Sequence, residues 1–520
     1  MKRFRLFFST AVLAGLVAWG CSRTPGINTA AAQDLPAAAH FEPAPASAHQ
    51  QLRRNGSWLV DAQDRVVILH GVNAVWKQAP YVAPDSIDGF TVADADWLAA
   101  HGFNAVRLGV LFAGVMPQPH TIDTAYLDKI DRVVQLLAAR DIYILLDFHQ
   151  DLFNPLYQGE GFPAWATKSS RFDGMIKAGF PLNYFTPPAS QAFDRLWNNA
   201  ADLQDDYRDA WTAVAARWRT QDHLMGYDVI NEPWPGSSWP FCAEPRGCSH
   251  FESDKLQAMY ERVLAGIRSV DPDNVVWMEP QILFDFGAAS HLGERNIADG
   301  QLGLSWHDYC LPETLLQATG LKKLPACGPL EQRVFSNARA TSQRLGSASL
   351  LSEFGASDDL LDTGRVAALA DRNLGSWMVW SYKNWGDPTT QAQGSGAQSL
   401  FVRDDDLGSA KQAKLAILER PYPQAIAGTP RSFGYDEAGK VFSLSYSTRL
   451  PSGTAAAAGL VTEIYVPALH YPAGYAVQVL GGHVISEANA AHLRIVADTG
   501  ATAVTVKVTA PATLVASLSN

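Results

Sequence analysis

The chain has 520 residues, of which 47% are hydrophobic and 15 are tryptophan, and its formal net charge is −11. This length accommodates a large α/β barrel together with a second domain, and the apolar content is sufficient for an extensive core. The negative charge argues against a nucleic-acid-binding protein and against a basic membrane-binding surface, but it does not argue against a neutral substrate.

The first segment has the pattern of a secretory signal. Three basic residues are followed by an apolar stretch at 6–19, which is too short to span a membrane. Cleavage before Cys21 would give a bacterial lipoprotein anchored through that cysteine, whereas cleavage after Ala32 would release the protein. We therefore expect export, either as a secreted protein or as a cell-envelope lipoprotein. The signal is assigned to 1–21 and a Pro/Ala-rich linker to 22–50, and any further membrane contact is expected to be peripheral.

Apolar runs typical of buried strands alternate with helical stretches between residues 51 and 428. The predicted strands cover 66–72, 104–110, 142–148, 226–230, 275–279, 302–308, 350–353 and 376–381. The predicted helical stretches cover 92–101, 124–140, 191–219, 252–270, 331–345, 365–373 and 411–418. Eight strands, nearly all followed by helices, predict a (β/α)8 TIM barrel with enlarged loops. The alternative, an open doubly wound sheet, would carry a glycine-rich phosphate loop after its first strand, and His70-Gly71-Val72-Asn73 offers none.

The chain changes character after the predicted barrel. Short runs with alternating apolar residues, separated by Gly, Pro and Asn, cover 442–446, 463–466, 476–480, 492–496 and 503–508. Because no helical period appears, we predict a small C-terminal antiparallel β-sandwich at 429–520.

Four cysteines occur as two close pairs in the loops of the predicted barrel, Cys242 with Cys248 and Cys310 with Cys327. An even number of cysteines in an exported protein predicts disulfides. A zinc site is the competing interpretation, but neither CxxC nor HxxxH spacing supports it, so we expect no metal.

Polar residues cluster at the ends of the predicted barrel strands. They are Asn73, Lys77, Arg107, His149, Gln150, Asp151, Asn231, Glu232, Glu279, His307, Tyr309, Glu353, Trp380 and Lys383. Each one alone has a structural alternative, such as a buried ion pair, a core histidine or a core tryptophan. A complete ring at the carboxyl end of a barrel predicts an active site.

Glu232 and Glu353 are the candidate catalytic pair, because each follows an apolar run directly and precedes a strand-breaking residue. In a retaining glycosidase one carboxylate attacks the anomeric carbon and the other donates a proton to the leaving oxygen. The attacker needs a positive or donating neighbour, for which Arg107 and Tyr309 are candidates, and the donor needs a raised pKa. Asn231 is a candidate for binding the sugar 2-hydroxyl. Sequence order alone does not decide which glutamate has which role.

These residues, in this order, resemble glycoside hydrolase family 5, a retaining family of (β/α)8 barrels. The resemblance implies that Glu232 is the acid/base and Glu353 the nucleophile. A narrower resemblance, to the endoglycoceramidase branch, covers most of 55–510. It is carried by Asn231-Glu232-Pro233-Trp234-Pro235-Gly236, Asp147-Phe148-His149-Gln150-Asp151, Gly159-Glu160-Gly161 and Val72-Asn73-Ala74-Val75-Trp76-Lys77. It implies cleavage of the sugar–ceramide bond of glycosphingolipids, with Lys77 and Asp151 binding the sugar beside that bond.

Two other functions stay open at this stage. One is a retaining glucosidase or endoglucanase acting on steryl glucosides or β-glucans. It stays open because the long loops 152–190, 234–250 and 310–330 set the specificity. The other is a non-catalytic carbohydrate- or lipid-binding surface protein. Aromatic residues in the loops could line an apolar groove, although packing onto the barrel is the simpler expectation for most of them: Phe153, Phe162, Trp165, Phe180, Tyr184, Phe185, Trp234 and Trp239. No cofactor is implied, and the sequence carries no signal for an oligomeric state.

Overall fold

The computed structural model describes residues 50–167, 175, 177–310, 327–389 and 396–511. The predicted signal at 1–21 lies outside the described residues, as does Cys21, and so does the predicted linker up to residue 49. Most of the predicted loop 310–330 lies outside them as well.

The described strands, in chain order, are β1 (Arg53–Asn55), β2 (Trp58–Val60), β3 (Val66–Val67), β4 (His70–Ala74), β5 (Ala105–Val110), β6 (Tyr143–Phe148), β7 (Leu224–Asp228), β8 (Val276–Met278), β9 (Leu302–Asp308), β10 (Ala348–Phe354), β11 (Ser376–Val379), β12 (Tyr422–Ile426), β13 (Thr429–Asp436), β14 (Val441–Ser447), β15 (Val461–Tyr465), β16 (Ala476–Leu480), β17 (Gly482–Val484), β18 (His492–Ala497) and β19 (Ala503–Thr509).

The described α-helices are α1 (Val92–Ala100), α2 (Phe112–Val115), α3 (Thr124–Ala138), α4 (Pro187–Trp197), α5 (Leu203–Trp218), α6 (Trp239–Cys242), α7 (Ser249–Phe251), α8 (Gln257–Arg268), α9 (Cys327–Leu345), α10 (Leu360–Arg372) and α11 (Gln412–Leu418). A π-helical turn, Glu252–Leu256, leads into α8, and short 3₁₀ helices lie at Pro155–Tyr157, Ala164–Ala166, Leu182–Phe185, Ala200–Asp202, Gly236–Ser238, Ile282–Phe286 and Leu407–Ser409.

Strands β4 to β11 form a closed barrel in which sequence neighbours pair in parallel and β11 returns to β4. The predicted (β/α)8 barrel is therefore confirmed. The predicted first strand, 66–72, is divided in the structure: β3 belongs to another sheet and β4 begins at His70. Both halves are buried and belong to one continuous run, so the sequence pattern does not distinguish them. Likewise, the predicted helix 191–219 is interrupted between α4 and α5, where Asn199 and Ala201 have φ values of +48° and +56°.

The inside of the barrel is apolar at its floor and polar at its mouth. Ala105, Leu145 and Trp277 belong to one buried apolar cluster at the floor. Because side chains two residues apart on a strand share a face, the same strands present Arg107, Asp147 and, just beyond β8, Glu279 nearer the mouth. This alternation brings the charged residues of separate strands together at the carboxyl end of the barrel.

The C-terminal region forms two antiparallel sheets that pack over one apolar core. One sheet has the order β13-β14-β19-β16, and the other has the order β1-β2-β3-β12-β15-β18-β17. The second sheet therefore takes strands from both sides of the barrel in sequence, with Val66 paired to Ile426. Tyr465 packs closely against Gly102 and donates a hydrogen bond to the carbonyl of Ala100, which joins the sandwich to the end of α1.

Both predicted cysteine pairs are disulfide-bonded, with Cα–Cα distances of 4.4 Å for Cys242–Cys248 and 5.5 Å for Cys310–Cys327. The first closes the loop after β7, and the second joins the residues that flank the undescribed part of the loop after β9. Within the described ranges, none of the helices has the length and apolarity that crossing a bilayer requires.

We predict that Gly303→Ala destabilises the barrel floor. A Cβ at Gly303 would lie 2.2 Å from the Trp277 indole, inside van der Waals contact, and crowding of this kind costs about 1–3 kcal/mol. Thermal unfolding followed by circular dichroism should show a melting temperature lowered by several degrees. Gly434→Ala is the matched control, because nothing lies within 4 Å of a Cβ there. Equal melting temperatures for the two variants would contradict this account of the floor.

Candidate active site

Arg107 is the centre of the polar mouth of the barrel. It is fully buried, and its guanidinium reaches carboxylates from four other strands or strand ends. These contacts are Asp228 at 2.8 Å, Glu353 at 2.6 Å, Glu279 at 2.8 Å and Asp147 at 3.0 Å, and the Asn231 side-chain oxygen accepts a further hydrogen bond at 3.0 Å. Burial alone would lower the pKa of Arg107, but the surrounding carboxylates raise it well above its usual value. Arg107 therefore remains a cation and links the residues around it.

Glu353 is held at both of its carboxylate oxygens. Arg107 Nη1 donates to Oε1 at 2.6 Å, and the Tyr309 hydroxyl donates to Oε2 at 2.9 Å. Burial, followed by the charge of Glu353, raises the pKa of Tyr309 well above its usual range, so the phenol keeps the proton it donates. The two groups expected from the sequence to support the attacking carboxylate both lie on Glu353.

Glu232 has an uncommon backbone conformation, with φ at +44°. Such conformations in non-glycine residues cost about 1–3 kcal/mol and persist where neighbouring contacts fix them. Three contacts do so here. The Glu232 amide donates to Glu279 Oε2 at 2.7 Å, and Gln150 Nε2 donates to the carbonyls of Asn231 and Glu232 at 2.9 Å and 3.1 Å. Gln150 and Glu279 thus set the direction of the Glu232 side chain.

A single histidine nitrogen lies between the two glutamates. His307 Nδ1 is 3.0 Å from Glu232 Oε1 and 3.6 Å from Glu353 Oε2. These two oxygens therefore cannot lie farther apart than the two distances combined. This limit is compatible with the separation of about 5–5.5 Å between carboxyl groups that is found in retaining glycosidases.

The environment of Glu232 favours its protonated form. Burial is the main cause, and the charge of Glu353 adds to it, whereas His307 opposes it; together they raise the pKa of Glu232 to about 7. Burial lowers the pKa of His307, but Glu279 and Glu353 raise it well above its usual value. Glu232 can therefore hold and release a proton near neutral pH beside a cationic histidine.

A second group of polar residues, the Lys77 cluster (Lys77, Asp151, Glu160, Asp387 and Thr389), lies at another part of the mouth. The Lys77 ammonium is 2.5 Å from Asp151 and 3.3 Å from Asp387, and it donates to the Thr389 hydroxyl at 3.0 Å. It also lies 4.5 Å from the ring centroid of Trp380. These contacts keep Lys77 charged beside an aromatic face, an arrangement suited to binding a sugar ring and its hydroxyls.

His149 connects the two groups. Its ring stacks on Trp380 at 5.2 Å between centroids, and its Nδ1 lies 2.8 Å from Asp147. Burial lowers the pKa of His149, but Asp147 and Asp151 together raise it to about 9. All ten predicted catalytic and support residues are therefore at one end of the barrel.

Comparisons with known proteins agree with this geometry. Residues 60–386 match the family described as cellulase (glycosyl hydrolase family 5), and residues 420–509 match the glycoside hydrolase family 5 C-terminal domain. The chain belongs to glycoside hydrolase family 5. It is a retaining glycoside hydrolase, and the non-catalytic surface protein considered from the sequence is set aside.

Two relatives are similar over most of this hydrolase. Endoglycoceramidase I of Rhodococcus hoagii (strain 103S) is 35% identical over 473 residues, which is 90% of each chain. Structures of endo-glycoceramidase II from Rhodococcus sp. cover 88% of this chain and 100% of their own. The lactosyl-enzyme intermediate has a TM-score of 0.71 at 28% identity, and the ganglioside GM3 complex has a TM-score of 0.72 at 27% identity.

The sequence patterns did not predict several residues of the site in this hydrolase. Asp387, Thr389 and Gln398 come from the loop after β11 and hold Lys77 and Trp380, with Trp380 Nε1 donating to Gln398 at 3.2 Å. They lie in no apolar run and no strand end. Asp228 could have been predicted from the sequence, because it is a charged residue inside the buried run that forms β7.

Lys383, by contrast, is outside the site. Its ammonium lies 2.6 Å from Asp94 and donates to the carbonyls of Ile87 and Gly89, so it fixes the loop before α1. The expectation that it belongs to the ring at the barrel mouth is wrong. It comes three residues after Trp380, beyond the point where strand alternation predicts side-chain direction.

The loop aromatics divide into two groups. Phe153, Phe162, Tyr184 and Trp234 are buried in the main core, which is the packing role expected for most of the set. Trp165, Phe180, Phe185 and Trp239 are only partly buried against that core. Phe185 contacts both Trp234 and Trp239, with centroid distances of 5.1 Å and 4.9 Å, so the loops after β6 and β7 meet through these rings.

Three groups of described residues bring together side chains of the types that bind metal ions, but the surroundings of each group indicate another role. His149, Asp151 and Glu160 surround the position that the Lys77 ammonium takes. Cys327, Glu331 and Asp362 include a disulfide-bonded cysteine, which offers no thiolate. In the third group, Glu232, Asp285 and His307, the pKa of Glu232 is raised and His307 is a cation, which fits a role in acid/base chemistry.

Proposed function

We propose that this hydrolase releases glycans from glycosphingolipids by cutting the bond between the sugar and ceramide. The observation that carries the proposal is the likeness to endoglycoceramidase I over 90% of both chains. The ganglioside complex of the related structure adds support, because a glycolipid occupies a protein of the same fold and similar sequence. The paired glutamates of the barrel mouth supply the chemistry such a reaction needs.

In the proposed mechanism, Glu353 is the nucleophile. The contacts from Arg107 and Tyr309 stabilise its negative charge and orient its oxygens. It attacks the anomeric carbon while Glu232 gives its proton to the glycosidic oxygen, so ceramide leaves as a neutral alcohol. Glu232, now a base, then takes a proton from water, and the hydroxide replaces Glu353 at the anomeric carbon.

The sugar beside the scissile bond is proposed to lie between the two polar groups. Lys77 and Asp151 would bind its hydroxyls, and Trp380 would pack against its ring. His149 and Asn231 would contact further hydroxyls, with Asn231 reaching the 2-hydroxyl. The support for this arrangement is that Arg107 fixes Asn231 while Asp147 fixes His149, so both side chains are oriented before substrate arrives.

We further propose that the protein is exported from a bacterial cell, as a secreted enzyme or as a lipoprotein anchored through Cys21. The two disulfide bonds favour an oxidising compartment. Contact with membranes would be peripheral. The division into a catalytic barrel at 51–428 and a sandwich at 429–520 is kept as a proposal, with β1 to β3 contributed to the sandwich from the N-terminal side.

The substrate class is tested by incubating the protein with fluorescent lactosylceramide in detergent and, in parallel, with cello-oligosaccharides. We expect free ceramide and intact lactose from the first and no cleavage of the second. Glu353→Gln should be inactive on both, because the amide cannot serve as the nucleophile. Cleavage of cello-oligosaccharides without cleavage of the lipid would instead support the β-glucan alternative and overturn the proposal.

The role of Glu232 is tested by pH and by leaving group. Because the general acid must be protonated, kcat/KM for lactosylceramide should fall as the pH rises through about 7, the pKa of Glu232. Glu232→Gln should lose activity on lactosylceramide but still react with an aryl β-lactoside whose leaving group needs no proton. Added azide should then restore turnover of that substrate. An equal loss on both substrates, with no azide effect, would remove Glu232 from this role.

A further inference from the structure

Asp285 is a buried carboxylate beside the proposed acid/base, and the mechanism above does not use it. It belongs to the 3₁₀ helix Ile282–Phe286, which follows β8, and only 4% of its surface is exposed. One of its oxygens lies within 4.8 Å of ligand atoms of both Glu232 and His307. Within the described part of the chain, Asp285 Oδ2 has no hydrogen-bond partner.

The segment carrying Asp285 is held firmly. The Gln281 side chain accepts a hydrogen bond from the amide of Leu283 at 3.1 Å, which caps the 3₁₀ helix, and the Gln281 amide donates to Glu252 at 3.0 Å. The Ile282 amide donates to the carbonyl of Pro233, directly after Glu232, at 3.2 Å. The position of Asp285 relative to Glu232 is therefore fixed by the backbone, and an unpaired oxygen in such a place is costly unless something binds it.

The order of the strands places Asp285 across the barrel mouth from the Lys77 cluster, which is proposed to bind the sugar. Lys77 follows β4 and Asp285 follows β8, and these strands lie on opposite sides of the closed ring of eight. Glu232 and His307, which Asp285 approaches, lie on its side of the mouth, after β7 and within β9. If the sugar occupies the Lys77 side, the leaving group passes over the acid/base toward Asp285.

The chemistry of a ceramide leaving group suits this position. Ceramide carries an amide N–H and a hydroxyl on the two carbons that follow the carbon bonded to the glycosidic oxygen. A carboxyl group next to the acid/base would lie close to these two groups, because the acid/base protonates the oxygen on the adjoining carbon. Burial, reinforced by Glu232 although opposed by His307, raises the pKa of Asp285 well above its usual value. A protonated carboxyl can donate one hydrogen bond and accept others, which matches a hydroxyl beside an N–H.

We infer that Asp285 forms the polar contact of the aglycone subsite and binds the amide and hydroxyl of ceramide beside the scissile oxygen. This inference rests on the proposed glycosphingolipid activity. In this role Asp285 selects the leaving group by binding it and takes no part in proton transfer.

The test compares two substrates that share a lactosyl group. Lactosylceramide carries the amide and the hydroxyl, whereas octyl β-lactoside offers an alkyl chain without either. For Asp285→Ala, kcat/KM should fall about tenfold or more on lactosylceramide and stay within about twofold of wild type on octyl β-lactoside. Asp285→Asn, which keeps an acceptor and a donor of similar shape, should recover part of the loss. The activity on octyl β-lactoside serves as the control for correct folding.

The outcomes separate the inference from the function on which it rests. Equal losses on both substrates, or no loss on lactosylceramide, would overturn the role of Asp285 while leaving the glycosphingolipid activity of the wild type standing. Wild type that cleaves octyl β-lactoside but fails on lactosylceramide would overturn both the proposed function and this inference.

Discussion

The buried guanidinium of Arg107 is the interaction on which the active end of the barrel depends. It contacts four carboxylates directly, Asp147, Asp228, Glu279 and Glu353, and two more, Glu232 and Asp285, lie beside His307. Two histidines, His149 and His307, also have raised pKa values and add positive charge. Three cations among six carboxylates leave three negative charges without a counter-charge in a low-dielectric space, which is unfavourable. Burial, reinforced by the neighbouring carboxylates, raises the pKa to about 8 for Asp228, to about 7 for Glu232, and well above its usual value for Asp285, so bound protons reduce the negative charge.

This charge balance explains how two similar glutamates acquire opposite roles. Glu353 lies directly on Arg107 and Tyr309, which stabilise an anion. Glu232 makes no contact with Arg107 and receives its hydrogen bond from His307 instead. The apolar side chains of the floor occupy one layer of inward-facing positions. The charged residues of the same strands therefore come together in the next layer, at the mouth. Glu279 then serves both parts, since one oxygen binds Arg107 and the other binds the amide of Glu232.

Much of this could be predicted from the sequence, and the limits have physical causes. Glu232 and Glu353 stand out because each is an isolated carboxylate close after an apolar run and just before a strand-breaking residue, Pro233 or Gly355. The barrel follows from eight repeats of a local pattern. The loop residues that complete the site do not, because their partners are distant: Lys77 and Thr389 are 312 positions apart and meet only once the barrel closes. The pairing of 53–67 with the C-terminal sheet escaped prediction for the same reason, since alternating apolar residues identify a strand but not its neighbour.

The central claim is that Glu353 forms a covalent bond to the sugar, with Glu232 across the same pocket. The most direct measurement is to treat the protein with a 2-deoxy-2-fluoro-β-lactoside that carries a good leaving group, and then to map the labelled peptide by mass spectrometry. The account predicts one lactosyl adduct per chain, on the peptide containing Glu353. An adduct on Glu232, or inactivation without any covalent sugar, would contradict it.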